Sequence, residues 1–168
     1  MQDFNLLVSY GKRGYFSSLQ EIERLLKNIG DNKPRTEKAK EDGEILVKTE
    51  LKTRELISEL NELAFKEPSL FGATTKWIPV DNICPANIID IKNTVRDIKT
   101  QIQNNETWNL EIEKRKSNLN VEKLKEEIER LFDQQKNSEH PEKILRIEIL
   151  GSIAGVSILR KKDVFLVV

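Results

Sequence analysis

Apolar positions along the chain follow two rhythms, a period of two and steps of three and four. That combination predicts strands interleaved with helices. Phe4–Tyr10 is a short apolar run ending at Gly11 and predicts a strand, followed by the loop GKRGY. Ser18 and Glu21 have capping-box spacing, so the first helix is expected to open at Ser18. Leu19, Ile22, Leu26 and Ile29 form its stripe, and Gly30 is its stop. Residues 31–43 are polar, contain Pro34 and Gly43, and read either as a flexible loop or as a weakly patterned edge strand. Glu44–Glu50 alternates around Ile45 and Val47 as a strand. Thr53 can cap a second helix bearing Leu56, Leu60 and Leu63 as far as Pro68. Thr74–Ile83 is extended and rich in β-branched residues. The first 84 residues thus spell β-α-(β)-β-α-β, the order of a split β-α-β, ferredoxin-like unit if residues 31–43 supply the second strand.

Pro85 marks a boundary. Ile88, Ile91, Val95, Ile98 and Ile102 form the narrow stripe of an amphipathic helix with one buried edge. Trp108, Leu110 and Ile112 alternate with Asn109, Glu111 and Glu113, which predicts a strand with one wet face. Asn120 is expected to open a further helix carrying Val121, Leu124, Ile128, Leu131 and Phe132. Ile144–Val168 is expected to hold two strands joined by a turn at Gly151-Ser152, then a short strand over Val164–Val168. The expected class is α/β (α+β), with one domain over 1–84 and a second over 85–168.

Composition narrows the function. Charged residues make up 33% of the 168 and hydrophobic ones 38%, a modest core under a densely charged surface. The 28 basic and 28 acidic groups cancel, which excludes a polycationic coat or an acidic tail, so any anion binding must rest on local clusters. A single cysteine, Cys84, excludes an internal disulfide and a multi-thiolate metal site, and a single histidine, His140, excludes His-rich centres. No apolar run is long enough for a membrane span and the start lacks signal-peptide features, so an intracellular, cytoplasmic protein is expected.

Lys114-Arg115-Lys116 is the first basic cluster of interest, where a strand gives way to a loop containing Asn118 and Asn120. Adjacent cations at a strand end can meet successive phosphates; the alternative is a solvated turn. Arg160-Lys161-Lys162 is the second. Arg146 alternates with the apolar residues of its strand and reads mainly as an ion-pair partner of Glu148 or Glu113, with an RNA contact as the alternative. Lys92, Arg96 and Lys99 share a helix face that Asp90 and Asp97 interrupt. Gly11-Lys12-Arg13-Gly14 joins a strand to a helix but matches neither phosphate-loop pattern, and reads as a flexible turn. Trp77 and Trp108 could stack bases, although the alternation around Trp108 assigns it to the core. Cys84 before Pro85 reads as a small buried hydrophobe. Neither it nor His140 has an identifiable catalytic partner, and no acidic pair has metal-binding spacing.

Three stretches resemble the THUMP domain, an RNA-binding module of tRNA-modifying proteins: Lys76–Ile91 (KWIPVDNICPANIIDI), Trp108–Asn120 (WNLEIEKRKSNLN) and His140–Arg160 (HPEKILRIEILGSIAGVSILR). The third is the most specific, with Gly155-Val156-Ser157 like the family's Gly-aliphatic-Ser strand. The likeness is greatest to the free-standing form that assists a tRNA cytidine acetyltransferase. It covers roughly 76–166, and the first 75 residues would correspond to the ferredoxin-like domain that precedes THUMP in many such proteins.

The resemblance implies a ferredoxin-like domain followed by a THUMP domain. It also implies a non-catalytic tRNA-binding adaptor that presents tRNA for cytidine N4-acetylation to a partner acetyltransferase, with no cofactor and no metal. It places RNA contacts at Lys76, Lys114, Arg115, Lys116, Asn118 and Arg160. Lys76 matches the family's basic position, with an edge-strand charge as its alternative, and Arg160 ends the family-like strand. If THUMP topology holds, the two basic clusters would share one groove. The chain also stops close to the end of the THUMP-like region, where related enzymes continue into a catalytic domain. Two competing readings remain, a small ferredoxin-like enzyme using the GKRG loop and a protein-interaction module using the Ile88–Ile102 stripe or a sheet edge.

Overall fold

The computed structural model describes residues 3–41 and 43–167. The chain divides into two compact units, residues 1–80 with 162–168, and residues 81–161. The last residues of the chain therefore belong to the first unit.

The first unit is built from β1 (Leu6–Tyr10), α1 (Gly14–Ile29), β2 (Arg35–Lys38), β3 (Glu44–Lys48), α2 (Thr53–Lys66), β4 (Thr74–Pro79) and the distant β9 (Phe165–Leu166). Its antiparallel sheet has the order β2-β3-β1-β4-β9, a split β-α-β arrangement with one strand added at the β4 edge. Alternation in the strands places Leu6, Val8, Ile45, Val47, Trp77 and Phe165 against Ile22, Leu25, Leu26, Leu56, Ile57 and Leu60 of the two helices. Phe165 meets Phe71 edge-on at 5.4 Å, which ties β9 into this core. Residues 31–43 do supply an edge strand, β2.

Two expectations in this unit are corrected. The first helix opens at Gly14 rather than Ser18. Ser18 lies in its second turn and donates its hydroxyl to the Gly14 carbonyl at 2.8 Å. Glu21 closes no capping box. Its carboxylate accepts the backbone N–H groups of Gly72, Ala73 and Thr74 at 2.7, 3.0 and 2.7 Å and the Thr74 hydroxyl at 2.6 Å. A local sequence match thus gives way to a clamp that fixes the entry to β4. Thr53 is likewise the first residue of α2, after a cap position held by Lys52.

The expected single strand over Thr74–Ile83 is two strands in different sheets, β4 and β5 (Asn82–Pro85). β4 ends at Pro79, which has no N–H to extend the ladder. Of the expected terminal strand, Phe165–Leu166 forms β9, and Val168 lies outside the described residues.

The second unit contains β5, α3 (Ile88–Ile98), β6 (Trp108–Arg115), α4 (Val121–Glu129), β7 (Lys143–Leu150) and β8 (Ile153–Leu159). Its sheet has the order β5-β8-β7-β6, with β6 and β7 parallel and the other pairs antiparallel. Asn87 caps α3 by accepting the Asp90 N–H at 2.8 Å, and Asn120 caps α4 by accepting the Lys123 N–H at 3.1 Å. Ile91, Val95, Ile98, Leu124 and Ile128 of the helices pack on Leu110, Leu145, Ile147, Ile149, Ala154 and Val156. The β7–β8 turn is Gly151-Ser152 as expected, with Gly151 at φ +65. Among the described residues, no helix is long and apolar enough to cross a membrane.

Candidate nucleic-acid interface

β6 decides the fate of the first basic cluster. Period-two alternation turns Trp108, Leu110, Ile112 and then Lys114 towards the helices, and Asn109, Glu111, Glu113 and Arg115 towards the opposite face. Lys114 stands where the core runs out. It is exposed, and its Nζ donates to the Leu119 carbonyl at 3.3 Å. Arg115 turns to the other face, where its Nη1 donates to Glu148 Oε2 at 2.5 Å.

Glu148 is only 2% exposed. It also accepts from Arg146, which reaches Glu111 at 2.7 Å as well. Two guanidinium groups thus share one buried carboxylate, so its oxygens have charged hydrogen-bond donors where water does not reach. Arg146 is an ion-pair residue as expected, with Glu111 rather than Glu113 as its second partner.

After Arg115 the chain turns through Lys116, at φ +44, next to the hairpin, where the Gly151 N–H donates to the Arg115 carbonyl at 3.0 Å. Lys116 and Asn118 are exposed. Ser117 Oγ accepts the Leu119 N–H at 3.1 Å and shapes the loop into α4. The exit of β6 therefore presents Lys114, Lys116 and Asn118 to solvent, with Arg115 anchored below.

The expectation of a shared groove for the two clusters does not hold within this unit. Arg115 is in register with Leu150, at the hairpin end of β7, whereas Leu159, just before Arg160, is in register with Ile144 at its start. At ~3.3 Å per residue the two clusters stand about 20 Å apart at opposite ends of the sheet. Arg160 lies 3.7 Å from Glu106, which also pairs with Lys143 at 3.3 Å. The Gln103 N–H, with Lys143 and Arg160, holds the Glu106 carboxyl below the usual carboxylate range despite partial desolvation.

Lys76 belongs to the first unit. It lies on β4 with Ser9 of β1 and Leu166 of β9 as register partners, so its strand is internal there and Lys76 is no edge charge. Lys92 pairs with Glu127 at 2.6 Å, Lys99, just past the helix, reaches the Leu131 carbonyl at 3.4 Å, and exposed Arg96 donates to Asn93 Oδ1 at 3.0 Å.

Both tryptophans are core residues and unavailable for base stacking. Trp77 is fully buried and donates Nε1–H to Thr74 Oγ1 at 3.0 Å. Trp108 donates to the Gln134 carbonyl at 3.0 Å and stacks on Phe132 at 4.2 Å. Cys84 is buried, and burial pushes its thiol up, so it fits the reading of a small hydrophobe. Among the described residues the exposed aromatics are Phe16 at the start of α1 and Phe65 near the end of α2, with Tyr15 half-buried beside Phe16. Phe16 lies ahead of Ser18, the residue at which the sequence pattern opens the helix.

No family model matches the sequence, and no curated protein matches it. Solved structures share its fold. The chain is similar to PH1313 from Pyrococcus horikoshii Ot3, with a TM-score of 0.62 at 15% identity over 94% of this chain and 55% of that one. It is also similar to TrmN from Thermus thermophilus, with a TM-score of 0.56 at 10% identity over 91% of this chain and 44% of that one. The chain spans about half the length of the structures it matches. The α/β (α+β) class expected above is the fold of the chain, with the ferredoxin-like strand order in its first unit.

Proposed function

We propose that this chain is a tRNA-binding protein that acts by holding folded RNA, as a non-catalytic cytoplasmic adaptor presenting tRNA for cytidine N4-acetylation by a partner enzyme. The observation that carries the reading is the exit of β6. Lys114, Lys116 and Asn118 are all exposed where the strand leaves the sheet, while Arg115 pins that strand end to Glu148. Flexible cations on a fixed strand end suit phosphate contacts, which hold RNA without reading its sequence. Such shape-based contact suits A-form RNA, whose major groove is too narrow for side chains. The THUMP resemblance over residues 76–166 and the shared fold support the same reading.

In this assignment Lys114, Lys116 and Asn118 make the principal backbone contacts. Arg115 orients them through Glu148. Arg160 and Lys76 are proposed as further contacts, each from its own part of the chain. The acetylation chemistry is assigned to the proposed partner enzyme.

The test is binding of total tRNA at two salt concentrations, with wild-type protein and with Lys114→Ala/Lys116→Ala. Binding that weakens with salt and weakens again in the double variant supports the reading, and salt-insensitive or absent binding overturns it. The adaptor role is tested by adding the chain to a tRNA acetyltransferase and measuring acetylcytidine formation with and without it.

A further inference from the structure

The start of α1 gathers one exposed phenylalanine, two half-buried tyrosines and several cationic groups of the first unit. Phe16 is 77% exposed. Its ring lies 5.2 Å from Tyr15 at an interplanar angle of 66°, and Tyr15 lies 6.4 Å from Tyr10. Lys38 of β2 places its Nζ 5.4 Å from the Tyr15 ring centroid. Lys12 and Arg13 directly precede the helix and are exposed. The Arg13 guanidinium lies over Gly72, where an added Cβ would collide with it. The first turn of α1 itself holds no acidic residue.

A phenylalanine this exposed leaves unfavourable apolar surface in water. Inclined rings do not cover one another as a face-to-face stack would. An open aromatic face bordered by cations is the pairing that binds single-stranded nucleic acid, in which a base stacks on the ring and phosphates meet the charges. We propose that Phe16, backed by Tyr15 and flanked by Lys12, Arg13 and Lys38, is a stacking platform for an unpaired nucleotide of RNA. The inference rests on the RNA-binding reading above and adds a site in the other unit, specific for unpaired rather than helical RNA.

The test is fluorescence anisotropy of labelled octauridine and of a labelled blunt-ended RNA duplex with the full chain. Phe16 lies outside the core, and thermal melts of each variant check that the fold is kept. Phe16→Ala is expected to weaken octauridine binding by about fivefold or more while leaving duplex binding unchanged, and Phe16→Trp to retain it. Unchanged octauridine affinity in Phe16→Ala, alongside weaker RNA binding in Lys114→Ala/Lys116→Ala, would overturn the platform and leave the β6 reading standing. Absence of binding to either RNA by the wild-type chain would overturn both. A dimer lost in Phe16→Ala with RNA affinity unaltered would make the ring a contact between copies and overturn the platform.

Discussion

Lys114 and Arg115 are adjacent in sequence and serve opposite sides of one sheet. Arg115 is held at 2.5 Å by the buried Glu148, while Lys114 reaches only a backbone carbonyl, that of Leu119, at 3.3 Å. Two cations that look interchangeable in sequence thus divide into one that holds the strand and one that meets solvent. Lys114→Ala/Lys116→Ala is expected to lower tRNA affinity and to reduce the salt slope by up to about 2, about one for each phosphate that is no longer neutralised. Its melting behaviour should match wild type to within about 0.5 kcal/mol. Filter binding across a salt series and a thermal melt check both halves.

Arg115→Ala should behave the other way round. It strips one guanidinium from a carboxylate only 2% exposed, leaving Arg146 as the remaining cation. A stability loss of about 1–3 kcal/mol is expected, measured by urea unfolding. A large loss of affinity at wild-type stability would show that Arg115 contacts RNA directly.

Glu21 sets an acid limit on the first unit. Burial pushes its carboxyl up, but the hydrogen bonds from Gly72, Thr74 and Ala73 outweigh burial and bring it below the ordinary 4.5. Because the folded value lies below the unfolded one, the clamp's contribution is full above pH 4.5 and is lost as pH falls through the depressed value. Glu21→Gln keeps the shape but turns an amide donor towards backbone donors. It should cost about 1–3 kcal/mol at pH 7 and flatten the acid limb of the stability profile. Urea unfolding at pH 7 and at about pH 3 measures both; a variant with the wild-type acid limb would remove Glu21 from this role.

Two glycines should respond differently to alanine. At Gly72 the atoms nearest the added methyl are the flexible end of Arg13, which can swing away, so a change below about 1 kcal/mol is expected. At Gly151 the obstacle is the backbone itself, at φ +65, and a destabilisation of about 1 kcal/mol or more is expected. Paired thermal melts distinguish the cases.

Local periodicity made most elements legible. The Ile88–Ile98 part of the expected helix, the Trp108–Ile112 alternation, the Asn120 cap and the Gly151-Ser152 turn depend on neighbours a few residues away, and the structure shows each of them; Ile102 lies beyond the helix, after a 3₁₀ turn. Where partners lie far along the chain, local pattern misled. Ser18 and Glu21 match a capping box, yet Glu21 answers to backbone donors 51 to 53 residues on. Arg115 is claimed by a glutamate 33 residues away. The β-branched run over Thr74–Ile83 continues across a change of sheet, because local composition is blind to which strand lies alongside. The two basic clusters look alike in sequence, and only the register of β6, β7 and β8 sends them to opposite ends.

β9 sets the order in which the first unit can be completed. During synthesis residues 1–80 emerge well before the strand that covers the β4 edge and buries Phe165. Until residues 165–166 leave the ribosome, the nascent sheet has an unpaired border beside Trp77. The whole second unit must be translated before that border closes, so a pause or truncation before residue 165 should expose the first unit to strand exchange with other chains.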